Sequence, residues 1–134
     1  MVDLGAGEGA LCLPLARAGC RVIAVELHPG RAAVLRDRVA GAPVSVVEVD
    51  LGAFRWPGHP FRVVANPPYT GVNALVRRLL ALRQLRSADL VVAEGAARGL
   101  VARGGSRVAL GPRVPRRAFA HRPPYDARVV RIRP

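Results

Sequence analysis

Asn66-Pro67-Pro68-Tyr69 combines residue types whose order implies chemistry. The tetrapeptide follows Phe61-Arg62-Val63-Val64-Ala65, an apolar run that reads as a buried strand. Two prolines fix φ and stiffen the turn. The side-chain oxygen of Asn66 and the carbonyl of Pro67 then form a pair of acceptors suited to a planar NH2 group. The nitrogen of such a group, in adenine or in an amide, is a poor nucleophile because its lone pair is delocalised. Accepting both of its hydrogens favours a pyramidal nitrogen and frees the lone pair for attack on a methyl donor. Tyr69 is expected to stack on the substrate plane. Asn66, Pro67 and Tyr69 are therefore the catalytic candidates. Taken alone, the tetrapeptide also fits an ordinary proline turn after a strand.

A second set of residues suggests the methyl donor's site. Val2-Asp3-Leu4-Gly5-Ala6-Gly7-Glu8-Gly9 reads as the end of a strand running into a Gly-x-Gly-x-Gly turn. Gly5, Gly7 and Gly9 would let backbone approach a ligand closely at a helix N-terminus. The spacing is not the Gly-x-Gly-x-x-Gly of dinucleotide binding. Glu26 lies 21 residues after Gly5 and ends a second apolar run. At that spacing a carboxylate accepts hydrogen bonds from ribose hydroxyls. Asp50 is expected to close a third strand and to bind the cofactor's adenine amine, although a solvated strand-end acid would read the same way.

These groups need elements to hold them. The pattern predicts helices over Ala10–Ala18, from Pro29 to about Val39, over Thr70–Leu82 and over Gly95–Ala102. It predicts strands over Arg21–Glu26, Val44–Asp50, Phe61–Ala65, Asp89–Ala93, Arg107–Leu110 and Ala127–Ile132. Arg103–Ser106 reads as a loop. In the third helix Val72, Leu75, Val76, Leu79 and Leu80 share a stripe, with Arg77 and Arg78 off it. His28 reads as a loop residue. Alternating strands and helices with acids at successive strand ends imply an α/β fold, a doubly wound and mostly parallel sheet. Ligands of such sheets bind at the carboxyl ends of the strands, where the glycine turn, Glu26, Asp50 and Asn66 all fall. A nucleoside cofactor beside an amine-activating turn points to an S-adenosylmethionine-dependent methyltransferase with a Rossmann-like sheet.

The 134 residues suit one domain. No apolar run is long enough to span a membrane, and no signal peptide is recognisable, so a cytoplasmic location is expected. Cys12 and Cys20 fit neither a zinc site nor a disulfide framework and read as small apolar residues; no metal is expected. All 21 basic residues are arginine. Residues 1–76 carry 7 arginines against 6 acids, and residues 77–134 carry 14 against 3. This asymmetry implies a polyanionic partner, RNA or DNA.

The segments Asp3–Gly9, Ala24–Leu27, Val64–Tyr69 and the tail Val114-Pro115-Arg116-Arg117-Ala118-Phe119 resemble the ribosomal RNA adenine dimethylase family. Within it the chain is most similar to the Erm-type branch, in short actinobacterial forms without a C-terminal helical domain. The resemblance implies S-adenosylmethionine as cofactor and 23S rRNA as substrate. It further implies N6-methylation of an adenine in the peptidyl-transferase loop, resistance to macrolides, lincosamides and streptogramins, and a monomer. By position, Gly5, Gly7 and Gly9 would line the methionine and ribose. Glu26 would take the ribose, Asp50 the cofactor adenine, and Asn66 and Pro67 the target amine. Tyr69 and Phe119 would stack on the flipped target base. Arg77, Arg78, Arg116 and Arg117 would follow RNA phosphates. Without the resemblance, Phe119 reads as a core aromatic.

Several positions depart from the family pattern. The first strand begins only two residues before Asp3, which predicts exposed edges on both of its neighbours. Ala93 stands where the family has glutamine, the stretch from Gly99 to Val114 is shortened, and Tyr125-Asp126-Ala127 replaces Val-Asp-Ser. An N-terminally truncated remnant that binds RNA without catalysis is therefore an alternative. So is a methyltransferase acting on protein glutamine or DNA.

Overall fold

The computed structural model describes residues 1–67 and 70–134. The stacking role expected of Tyr69 lies outside the described residues.

Seven strands form one sheet: β1 (Val2–Leu4), β2 (Val22–Glu26), β3 (Val44–Glu48), β4 (Phe61–Ala65), β5 (Leu85–Ala93), β6 (Val108–Val114) and β7 (Ala127–Ile132). Their order is β3-β2-β1-β4-β5-β7-β6. The first five strands pair in parallel, and β7 runs antiparallel between β5 and β6. Strand order reverses between β1 and β4, so the loops leaving these two neighbours diverge and open a crevice.

The strand alternation assigns one apolar set to each face. Val2, Leu4, Val25, Val63, Ala65, Ala88 and Leu90 share a cluster with residues of α3 (Val72–Leu80) and α4 (Glu94–Gly104). Val22 and Ala24 share the other with residues of α1 (Cys12–Arg17) and α2 (Pro29–Arg38). Helices thus cover both faces. The expected stripe on α3 faces the core through Val72, Val76 and Leu79.

Element ends differ from expectation for local reasons. α1 is shorter than predicted because the glycine turn runs on to Leu11. Gly19, at φ +85°, ends the helix as Cys20 N–H donates to Leu15 O and Gly19 N–H to Ala16 O. β5 begins four residues early, because Leu85 pairs with Phe61 across a bulge that the polar run Arg86-Ser87 conceals. β6 runs through Pro112, which an edge strand tolerates. Arg103–Ser106 is not a loop: α4 continues to Gly104 and a 3-10 turn follows.

The brevity of β1 costs less edge than expected. All three residues pair with both β2 and β4 and are buried. The Met1 carbonyl also accepts Ile23 N–H at 2.8 Å. Val22 N–H and Phe61 N–H bond away from β1, to Pro43 O on the β3 side and Gln84 O on the β5 side.

Candidate active site

Two cavities adjoin at the crevice. One, of about 450 Å³, is lined by Gly5, Gly7, Val25, Glu26, Leu27, Arg31, Val49, Asp50, Leu51 and Asn66. The other, of about 440 Å³, includes Asp3, Gly5, Gly7, Glu8, Asn66, Phe119 and His121 in its walls. Gly5, Gly7 and Asn66 border both. Gly5 leaves β1 and Asn66 leaves β4, and these strands are hydrogen-bonded neighbours. The shared wall is thus a direct product of the sheet order.

Gly5 and Gly7 have φ of +69° and +56°, a region that L side chains rarely adopt. A Cβ at either would meet no protein atom within 4 Å. The space beside them is therefore available to a ligand. Gly9 does a different job. It lines neither cavity, and its missing Cβ would sit 2.8 Å from Leu13 Cδ1 and 3.1 Å from Leu35 Cδ1. The cofactor-lining role expected of Gly9 becomes close packing of the turn against α1 and α2.

Glu26 is 4% exposed and fixed at both oxygens. Oε2 accepts Gly7 N–H at 2.9 Å, and Oε1 accepts His28 N–H at 2.8 Å. A carboxylate has about four acceptor positions, so two remain beyond the two amides, the one on Oε1 being shared with Arg31. Arg31, unremarked in the sequence, reaches Oε1 at 3.2 Å and lines the same cavity. His28 caps α2, with Nδ1 accepting Arg31 N–H. Asp50 does not close β3, which stops at Glu48. It stands in the following turn, where Oδ1 accepts Gly52 N–H at 2.6 Å, and it borders the cavity from there.

Asp3, which precedes the glycine turn, is fully buried, and neither carboxyl oxygen has a hydrogen-bond partner among the described residues. Burial pushes its pKa up to about 7. The Cys12 backbone N–H, near but outside hydrogen-bond geometry, opposes that rise, and the Glu26 charge adds to it. A buried carboxyl without a partner is costly unless a donor or cation joins it.

The remaining expectations separate. Pro67 is buried beside exposed Asn66. Phe119 is half-buried in the cavity wall and belongs to neither core cluster, so it is not a core aromatic. Arg116 and Arg117 are exposed in a 3-10 turn next to that wall. Arg77 is exposed and borders a separate recess between α3 and α4. Arg78 turns inward. Its guanidinium donates to the carbonyls of Leu51, Gly52 and Phe54 and lies 5.5 Å from the Trp56 ring centroid. It clamps the loop after β3, which sets it apart from the expected RNA-contacting set.

A sheet of this order with cavities at its reversal point places the chain among the class I S-adenosylmethionine-dependent methyltransferases. The crystal structure of the 23S rRNA methyltransferase ErmE superposes with a TM-score of 0.87 at 29% identity, covering 98% of this chain and 59% of that one. The chain belongs to the ribosomal RNA adenine dimethylase family, whose model matches residues 1–111. An rRNA adenine N-6-methyltransferase of Corynebacterium diphtheriae is 33% identical over 99% of this chain and 57% of its own length. The mycinamicin-resistance protein MyrB of Micromonospora griseorubida is 31% identical over 98% and 46%. A ribosomal RNA small subunit methyltransferase A of Leifsonia xyli is 34% identical over 85% and 44%. The chain thus spans about half the length of the curated relatives it matches.

The family's cofactor is S-adenosylmethionine, and the residues present fit it. Gly5 and Gly7 leave room for its backbone-proximal part. Glu26 retains acceptors for a ribose. Asp3 is an orphaned carboxyl for a molecule that carries an ammonium and a sulfonium.

Proposed function

We propose that the chain catalyses S-adenosylmethionine-dependent N6-methylation of an adenine in 23S rRNA, giving resistance to macrolide, lincosamide and streptogramin antibiotics. The observation that carries this reading is the meeting of two cavities at Asn66. One has a buried carboxylate, Glu26, and the other has an aromatic ring, Phe119, in its wall. S-adenosylmethionine supplies an electrophilic methyl group when bound. Glu26 would hold the ribose, Asp50 the adenine of the cofactor, and Asp3 the cationic amino-acid end. Asn66 Oδ1 and the Pro67 carbonyl accept the two hydrogens of the target amine and orient its lone pair, and Tyr69 and Phe119 flank the base. Arg116 and Arg117, beside the Phe119 wall, would contact the phosphates that flank the flipped nucleotide.

The Leifsonia relative supports a second reading, in which the adenine lies in small-subunit rRNA. One experiment separates the two. The purified chain is incubated with methyl-labelled S-adenosylmethionine and 23S rRNA, small-subunit rRNA, DNA or soluble protein, with Asn66→Ala alongside. Label in 23S rRNA that disappears with the variant is the expected result. Label in small-subunit rRNA moves the target. Label in protein or DNA overturns the rRNA assignment. Cofactor binding without label anywhere leaves a non-catalytic remnant.

A further inference from the structure

We propose that Arg62, Arg86, Arg131 and Arg133 form a second RNA-phosphate site at the end of the sheet opposite the cofactor cavities. The proposal rests on the reading of the chain as an RNA-directed enzyme. β4 and β5 start at this end and β7 finishes there. Arg62 is the second residue of β4, Arg86 the second of β5, Arg131 the fifth of β7, and Arg133 follows β7 directly. The four line a recess of about 370 Å³ together with Ser87, Ala88, Asp89 and Ile132. All four arginines are exposed.

Charge balance is the central observation. Asp89 is the single carboxylate in the recess, and it pairs with Arg131 at 3.1 Å. Arg62, Arg86 and Arg133 have no carboxylate partner among the described residues. Three uncompensated guanidiniums around one polar hollow repel one another, and a bound polyanion relieves that repulsion. The Arg133 backbone is held in place by its N–H donating to Arg107 O at 2.9 Å.

Geometry selects a strand of phosphates over a single anion. β4, β5 and β7 are adjacent, so the arginines are spread across about 10 Å at roughly 4.8 Å per strand. Successive phosphates of one strand advance on the order of 3 Å along a duplex axis, so two or three fall within that reach. The site lies far from the chemistry. From Arg86 to Ala93 along β5 is about 23 Å at roughly 3.3 Å per residue. An RNA that reaches both ends must extend well beyond a loop holding the target adenine. The site would therefore favour a large folded RNA over a short hairpin.

The test uses this chain and the triple variant Arg62→Gln/Arg86→Gln/Arg133→Gln, which leaves the Arg131–Asp89 pair intact. Affinity is measured against salt for a short hairpin bearing the target adenine and for the same hairpin extended by a flanking helix. Cofactor affinity, read by calorimetry, should be the same in both proteins and establishes that the variant is folded. For the extended RNA the slope of log affinity against log salt should be smaller by about 2 to 3 in the variant, from ~0.7–0.9 per lost phosphate contact. The hairpin slope should not change. An unchanged slope on the extended RNA overturns the proposal, as does an equal change on both RNAs. Tighter wild-type binding to an acidic peptide or an anionic vesicle than to the extended RNA also overturns it. Absence of wild-type binding to either RNA would instead defeat the RNA reading itself. Phosphate-ethylation interference on the wild-type complex gives an independent readout. Interfering phosphates in the flanking helix are expected, and interference confined to the hairpin overturns the distal site.

Discussion

Two backbone amides hold the Glu26 carboxylate before any ligand arrives, so its geometry is set by the turn after β1 and the start of α2. Among the described residues, the Arg31 guanidinium competes for Oε1. Arg31→Ala should tighten cofactor binding a few-fold by calorimetry, whereas weaker binding would make Arg31 a ligand contact. Asn66→Ala should lower methyl transfer by 100-fold or more while cofactor affinity stays within a few-fold. A joint loss of both would make Asn66 structural. Asp3 sets a pH dependence whose sign is fixed. Its folded pKa, about 7, lies above the ordinary 3.8, so the contribution is fully present below about pH 4 and is lost as pH rises through 7. That is a difference on the order of 4 kcal/mol across the window. Thermal unfolding of the free chain should shift to lower temperature over that range, and Asp3→Asn should flatten the trend. Equal trends in the two proteins would remove Asp3 from the account. At this scale the sequence exposed Glu26 at the end of β2, and it brought Asp50 to the cavity although Asp50 lies two residues past the end of β3. Asp3 stayed hidden because nothing in its neighbours reveals an unpaired carboxyl, and Arg31 because its reach to Glu26 depends on how α2 packs.

Glycines decide where several elements meet. A Cβ on Gly104 would lie 2.1 Å from Val108 Cγ2, and Val108 is buried as β6 begins. The end of α4 and the start of β6 can therefore touch only through a residue without a side chain. Gly104→Ala should destabilise the chain by about 1–3 kcal/mol in urea titration, and no change in the midpoint would mean the turn rearranges freely. Strand β4, apolar apart from Arg62, and β7, which alternates at its end, were legible to the residue. Strands β5 and β6 were only half legible. Their extra residues carry polar or proline positions that strand partners hold in the sheet, and those partners lie 24 or 25 residues away in β4 and 13 to 15 residues away in β7. The α1 boundary was missed because positive φ at Gly9 prolongs the turn, a backbone state that composition does not report.

Charge is distributed over the whole molecule unevenly. All three acids after residue 76, Asp89, Glu94 and Asp126, are engaged with Arg131, Arg113 and Arg128, and the other arginines of that half face no carboxylate among the described residues. RNA affinity should accordingly fall steeply with salt; a flat response would mean the excess charge is not used for binding. The placement of β7 bears on a different matter, the order in which the molecule can be made. Edge strand β6 has β7 as its sheet partner, and β7 also completes β5. While residues 127–132 are still inside the ribosomal exit tunnel, β6 has nowhere to dock and β5 presents an open edge. Translation must therefore deliver that segment before a third of the sheet can exist. A slow codon or stall just upstream of it would leave the unfinished edge of β5 exposed beside the ribosome's own RNA.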